Sequence, residues 1–154
     1  MDITDPPVSD ILARAMVARI ATISKSGRPH VNPLYFVIAG GHIRLGTATS
    51  TLAAYNVEAN PAVQILFEIE SAPDDRRILR VDGTASIVTD AGILANYRHR
   101  VTRKYIVTPG GLWNMVTHPR QWRPMRRYLR GGSACVLDVS PTTAELAAEV
   151  GDPR

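Results

Sequence analysis

The chain has 154 residues, 45% hydrophobic and 21% charged, a globular composition whose length suits one domain without disulfide or metal support. No apolar run approaches the ~20 residues of a membrane helix, and the single Cys135 rules out an internal disulfide. Met1–Asp5 lacks the positive region and apolar core of a signal peptide, so the expected location is cytoplasmic and not membrane-bound. The net charge of +4 is unevenly placed: nine of the 18 cations fall between Ala91 and Leu137, where there is no Asp or Glu, and the other nine face all 14 acids. Only Lys25 and Lys104 are lysines, and arginine's planar fork suits phosphate and carboxylate. An anionic partner and a solvated helix face are equal readings of this segment.

In chain order, Ser9 or Asp10 caps a short amphipathic helix over residues 9–18, with its apolar pattern at Ile11, Leu12, Ala15, Met16 and Val17. Arg19–Ser24 reads as a strand, and Lys25–Arg28 as a turn closed by Pro29. His30–Ile38 reads as one strand whose Pro33 marks an edge or a backbone turned toward a ligand. Gly40-Gly41 signals a hairpin, with His42–Thr47 as its return strand. The hydroxyl cluster Thr47–Thr51 opens a helix over Leu52–Glu58, which Asn60-Pro61 stops.

Ala62–Ile69 and Arg77–Val88 are strands, the second with Gly83 at a bulge. A basic helical segment spans about 91–130, with a loop at Thr108–Gly111 and breaks near Pro119 and Pro124. Residues 133–139 form a last strand, and Thr142–Glu149 a closing helix. About six strands with short links predict a mainly β, α+β fold, a small antiparallel split barrel with accessory helices in one domain over residues 1–154.

The ordered set Ile20–Ser24, Gly27–Pro33, Thr47–Thr51, Asn56–Val63 and Leu79–Ala85 resembles the pyridoxamine 5′-phosphate oxidase-like flavin-binding split barrels over a little under half of the chain. The resemblance implies a homodimer with cofactor sites at the subunit interface, FMN as cofactor, and oxidoreductase chemistry by hydride transfer on a small-molecule substrate. It implies that Asn32, Pro33 and Leu34 contact the flavin ring or ribityl chain, and that Thr47, Ala48, Thr49, Ser50 and Thr51 approach the ribityl and phosphate. A helix start with free N–H groups suits a phosphate there independently; taken without the neighbouring strands, Ser50 or Thr51 reads rather as a simple N-cap.

Two departures stand out. Leu52 and Ala53 occupy the positions of a basic pair that ends in the phosphate lysine, and Asn32 takes the place of an arginine. Residues 98–104 or 120–130 could supply the missing charge, from either subunit. Arg80, mid-strand, needs an anion from the cofactor or from the partner chain.

The histidines His30, His42, His99 and His118 have no metal-ligand spacing, so no metal is expected. Cys135 reads as an inert core thiol, Tyr97, Tyr105 and Tyr128 as packing residues, and Trp113 as a packing or interface residue. No catalytic acid or base is named. Two rival functions stay open: an oxidoreductase using the deazaflavin coenzyme F-420, and a non-catalytic barrel binding an anionic ligand. Nucleic acid is disfavoured by the proline breaks.

Overall fold

The computed structural model describes residues 1–72, 74–106 and 134–148. Seven strands form one antiparallel sheet: β1 (Ala18–Ile23), β2 (Pro29–Leu34), β3 (Phe36–Ala39), β4 (His42–Ala48), β5 (Ala62–Phe67), β6 (Arg77–Val88) and β7 (Ala134–Ala148). Among the described residues three helices accompany them: α1 (Pro6–Arg14), α2 (Leu52–Ala59) and α3 (Ala91–Val101), the last running into a π-helical turn at Thr102–Ile106. The strand order is β2-β1-β5-β6-β7-β4-β3. The two edge strands, β2 and β3, are thus consecutive in the chain and separated by Tyr35 alone, which forces the sheet to curl until its edges meet. This is the split barrel that the sequence predicts.

Alternation sets the two faces. One row, Asn32–Ile20–Ile65–Val81–Ala144, points into the barrel, and the next, Pro33–Arg19–Leu66–Arg80–Glu145, points out. Phe36 and Phe67 anchor the interior, both fully buried with tilted rings 4.7 Å apart.

The helices plug and cover this barrel. Val8, Ile11 and Leu12 of α1 close the end where β5 finishes and β6 begins. Arg77 clamps α1 there, donating to Asp10 (2.8 Å) and to both oxygens of Asp75 (2.8 and 2.7 Å). The Arg77 hydrogen bonds hold the Asp75 carboxyl down at about 2. Helix α2 closes the opposite end, where Asn56 donates to the Thr22 hydroxyl at 2.9 Å with both side chains buried. Helix α3 lies outside, with Tyr97 packed on Val37 and Val136.

A buried amide bonded to a hydroxyl gives a clear expectation. Asn56→Leu alone leaves the Thr22 hydroxyl unpaired and should destabilise by about 1–3 kcal/mol. Thr22→Val added to it should recover a good part of that loss. Urea unfolding of the two variants tests the pairing, and a double variant weaker than the single one would refute it.

Four expectations are corrected. The first helix begins at Pro6 with Asp5 as its N-cap, three residues before Ser9, because proline's missing N–H is harmless in a first turn. It ends at Arg14, so Ala18 already belongs to β1. The single strand expected over His30–Ile38 is two strands divided at Tyr35, since the chain must cross there from one sheet edge to the other. Residues 142–148 are not a helix but the second half of β7, paired with β6 over Arg77–Asp82. The tertiary ladder overrides the helix preference of Ala, Glu and Leu.

Other features match. The Gly83 bulge is present as a register shift between Asp82 and Gly83. Gly40 and Gly41 both have positive φ (61° and 78°), as a type I′ hairpin requires. The expectations on residues 107–133, including Trp113, His118, Tyr128 and the arginines at 120–130, lie outside the described residues.

Candidate functional site

The seam between the two sheet edges lies beside the predicted cofactor residues. Where β2 hands over to β3, the Tyr35 carbonyl accepts from the Gly46 N–H (3.3 Å) and from the Tyr97 hydroxyl (3.1 Å). Gly46 N–H also donates to the Tyr97 oxygen at 2.9 Å. On the other side, the Tyr105 hydroxyl accepts from the Phe36 N–H (3.2 Å) and donates to the Phe36 carbonyl (3.1 Å). Two tyrosine hydroxyls thereby stand in for the missing strand neighbour. Sequence reading placed Tyr97 and Tyr105 as packing residues. Their hydroxyl roles depend on partners 62 and 69 residues away and left no local signal.

The Tyr35–Gly46 contact brings Leu34 alongside Thr47, so the β2 residues and the hydroxyl cluster meet at one end of the seam. Thr47 is buried, its hydroxyl 3.0 Å from that of Thr51. Thr51 donates to the Ala48 carbonyl (2.8 Å) and caps α2 by accepting from Ala54 N–H (3.4 Å). That cap leaves the N–H groups of Leu52 and Ala53 as the free donors of the first turn. Thr49 and Ser50 are exposed just before it, and Ala48 is half-buried. Asn32 is half-buried on the inner face, yet its side-chain oxygen is fully buried with no donor to meet it. Pro33, one residue on, faces out.

Arg80 does not join this group. It stands on the outer face, three strands from β2, and its anion is Glu145 of its own chain, the residue directly opposite on β7. Glu145 thus meets one end of the guanidinium within the chain, while Arg80 Nε is buried with no hydrogen-bond partner. Arg100, Arg103 and Lys104 do not complete the phosphate site within one chain either. They line a cleft with Leu12 and Ala13 at the α1 end of the barrel, away from α2. Cys135 is buried on β7, and burial pushes its thiol pKa up. Among the described residues, no cluster of three or more His, Cys, Asp or Glu could hold a metal, and no helix is long and apolar enough to cross a membrane.

The donor set fits a flavin in part. Asn32 offers a buried acceptor without a donor, and the start of α2 offers hydroxyls and free N–H groups suited to a phosphate, but residues 47–53 bring no cation. Large apolar side chains stand uncovered at the same end: Ile23, Val31 (61% exposed), Leu52 and Tyr55 (59% exposed).

Similar architectures are known. A conserved hypothetical protein from Mycobacterium tuberculosis has 20% identity and a TM-score of 0.73, covering 94% of this chain and 84% of its own. A protein described as an F420 reductase has 23% identity and a TM-score of 0.64, covering 89% and 94%. The heme storage protein HutZ from Vibrio cholerae has 18% identity and a TM-score of 0.61, covering 96% and 95%. At these identities the likeness establishes the fold. No curated protein matches the sequence significantly. The sequence model of the family described as Pyridoxamine 5'-phosphate oxidase matches residues 4–130, well over half of the chain. With the curled seven-stranded sheet and the hydroxyl-lined seam, that match establishes that the chain belongs to the pyridoxamine 5'-phosphate oxidase family.

Proposed function

We propose that the protein is a flavin-type oxidoreductase acting on a small molecule, with FMN held between the seam and the start of α2. The observation that carries this reading is the buried, donorless oxygen of Asn32 on β2, the strand whose end meets the Thr47–Thr51 cluster. A buried carbonyl oxygen without a donor costs free energy, and a ring N–H would remove that cost. Thr49, Ser50 and the first turn of α2 would receive the phosphate through neutral donors and the helix dipole. Leu34 would pack against the ring. The flavin, when bound, supplies two-electron redox chemistry; the chain's own residues bind it, fix its orientation and exclude water.

The uncovered apolar side chains Ile23, Val31, Leu52 and Tyr55 support a homodimer that buries this end of the barrel. With Leu52 and Ala53 in place of a basic pair, pyridoxamine-phosphate oxidation itself is not the reaction we propose.

Titration of the protein with FMN, with riboflavin and with the deazaflavin coenzyme tests the reading. FMN is expected to bind with quenched fluorescence, and Ser50→Glu to weaken it about tenfold or more by setting a carboxylate against the phosphate. Sedimentation of the same sample should give a two-chain mass. Preference for the deazaflavin would replace FMN in the proposal. Binding of none of the three would overturn it.

A further inference from the structure

The α1 end of the barrel carries a feature that the flavin reading does not use. Helix α1, strand β3, helix α3 and the π-helical turn enclose a cleft of about 530 Å³. Its apolar wall is Leu12, Val37 and Ile38, and three cations stand over it: Arg100, Arg103 and Lys104. No carboxylate lines it among the described residues, and residues 107–133 that follow contain no Asp or Glu to neutralise it.

The cations are placed rather than scattered. Lys104 lies 3.5 Å from the Phe36 ring centroid and donates to the Leu12 carbonyl at 3.2 Å. Arg100 is braced by Asn96 (3.0 Å) and by the Ile38 carbonyl (3.3 Å), which leaves further donors of its guanidinium for another group. Arg103 has no hydrogen bond or ion pair among the described residues. The acid that Lys104 feels, Glu70, is not in the cleft and accepts instead from the Met16 N–H at 3.0 Å. Two guanidinium groups and an ammonium around an apolar wall make the complement of one anionic head on an apolar body.

We propose that this cleft is a second binding site, separate from the seam, for a small organic anion bearing a phosphate or a carboxylate on an apolar body. The ligand's head bridges Arg100 and Arg103, and its body lies on Val37 and Ile38. A nucleic acid would need a track of cations along a groove, whereas these converge on one concave spot.

The test uses the full-length protein and three fluorescent probes: 1-naphthyl phosphate, 1-naphthoate and the uncharged 1-naphthol. At least one anion should bind and 1-naphthol should not; which anion binds better identifies the head group. Arg103→Gln, at a residue without an internal partner, should weaken binding about tenfold, and Arg100→Gln at least as much. Saturating FMN should leave the probe in place. The proposal fails if neither anion binds, if 1-naphthol binds equally, if both variants bind as the wild type does, or if FMN displaces the probe. It also fails if a short single-stranded oligonucleotide outcompetes the probe with a steep salt dependence.

Discussion

Gly46→Ala is expected to destabilise the protein by about 1–3 kcal/mol, an overpacking penalty at a single methyl group. A Cβ at this position would overlap the ring and hydroxyl of Tyr97. Tyr97 cannot step aside cheaply: its hydroxyl is tied to the Gly46 N–H and the Tyr35 carbonyl, and its ring packs on Val37 and Val136. The same geometry predicts strong coupling. Tyr97→Ala alone should cost about 3–5 kcal/mol, as deletions of large buried aromatics do. In that background the space beside Gly46 is free, so Gly46→Ala should then cost less than about 1 kcal/mol. Denaturant unfolding of the two single variants and the double variant measures the coupling directly. Simple additivity of the two penalties would show that the ring does not define the space at residue 46.

A second large effect should appear in the pH dependence of stability, through Lys104. Burial pulls its ammonium down to about 8, against an ordinary value of 10.5. The native amine then sheds its proton before the unfolded chain does. Between pH 8 and about 10 the unfolded state holds more protons, so stability rises with pH across that window. The gain should be on the order of 1–2 kcal/mol, reduced from the full shift because the side chain is still partly in contact with water.

Lys104→Met keeps an apolar stem over the Phe36 ring and removes the titration. Its stability profile should lack the rise. Tyr105, pushed by burial up to about 12, and Cys135, also raised by burial, work in the opposite direction at high pH. Both are present in either protein, so the difference between the two profiles isolates Lys104. Parallel profiles from pH 7 to 10 would mean that the ammonium is not desolvated.

Much of this architecture was legible in local pattern. Hairpin glycines, the Asn60-Pro61 stop and the Gly83 bulge each act through their own backbone, so the sequence shows them directly. The misread segments are those decided at a distance. Residues 142–148 carry helix-favouring side chains, and only the ladder to β6 makes them a strand. That one error also hid the partner of Arg80, because Glu145 sits opposite it only if residue 145 lies in β7. The division at Tyr35 was equally out of reach, since nothing in His30–Ile38 says that its two halves belong to opposite sheet edges. At the site, Thr47–Thr51 could be placed at a helix start from residue types alone. The seam tyrosines could not, because a hydroxyl's partner is fixed by the fold and not by spacing.

The place of β7 in the sheet has a consequence for the order of events during synthesis. Among the described strands it comes last in the chain, and it hydrogen-bonds the β2-β1-β5-β6 half to the β4-β3 half. Until it emerges, the nascent chain holds two ribbons joined only at the Tyr35 seam, with the β6 and β4 edges bare. From the end of β4 to the start of β7 takes several seconds at ~5–20 residues per second. Bare edges recruit other strands, so this interval is when the chain most needs protection by a chaperone. Loss of the C-terminal residues would make that passing state permanent.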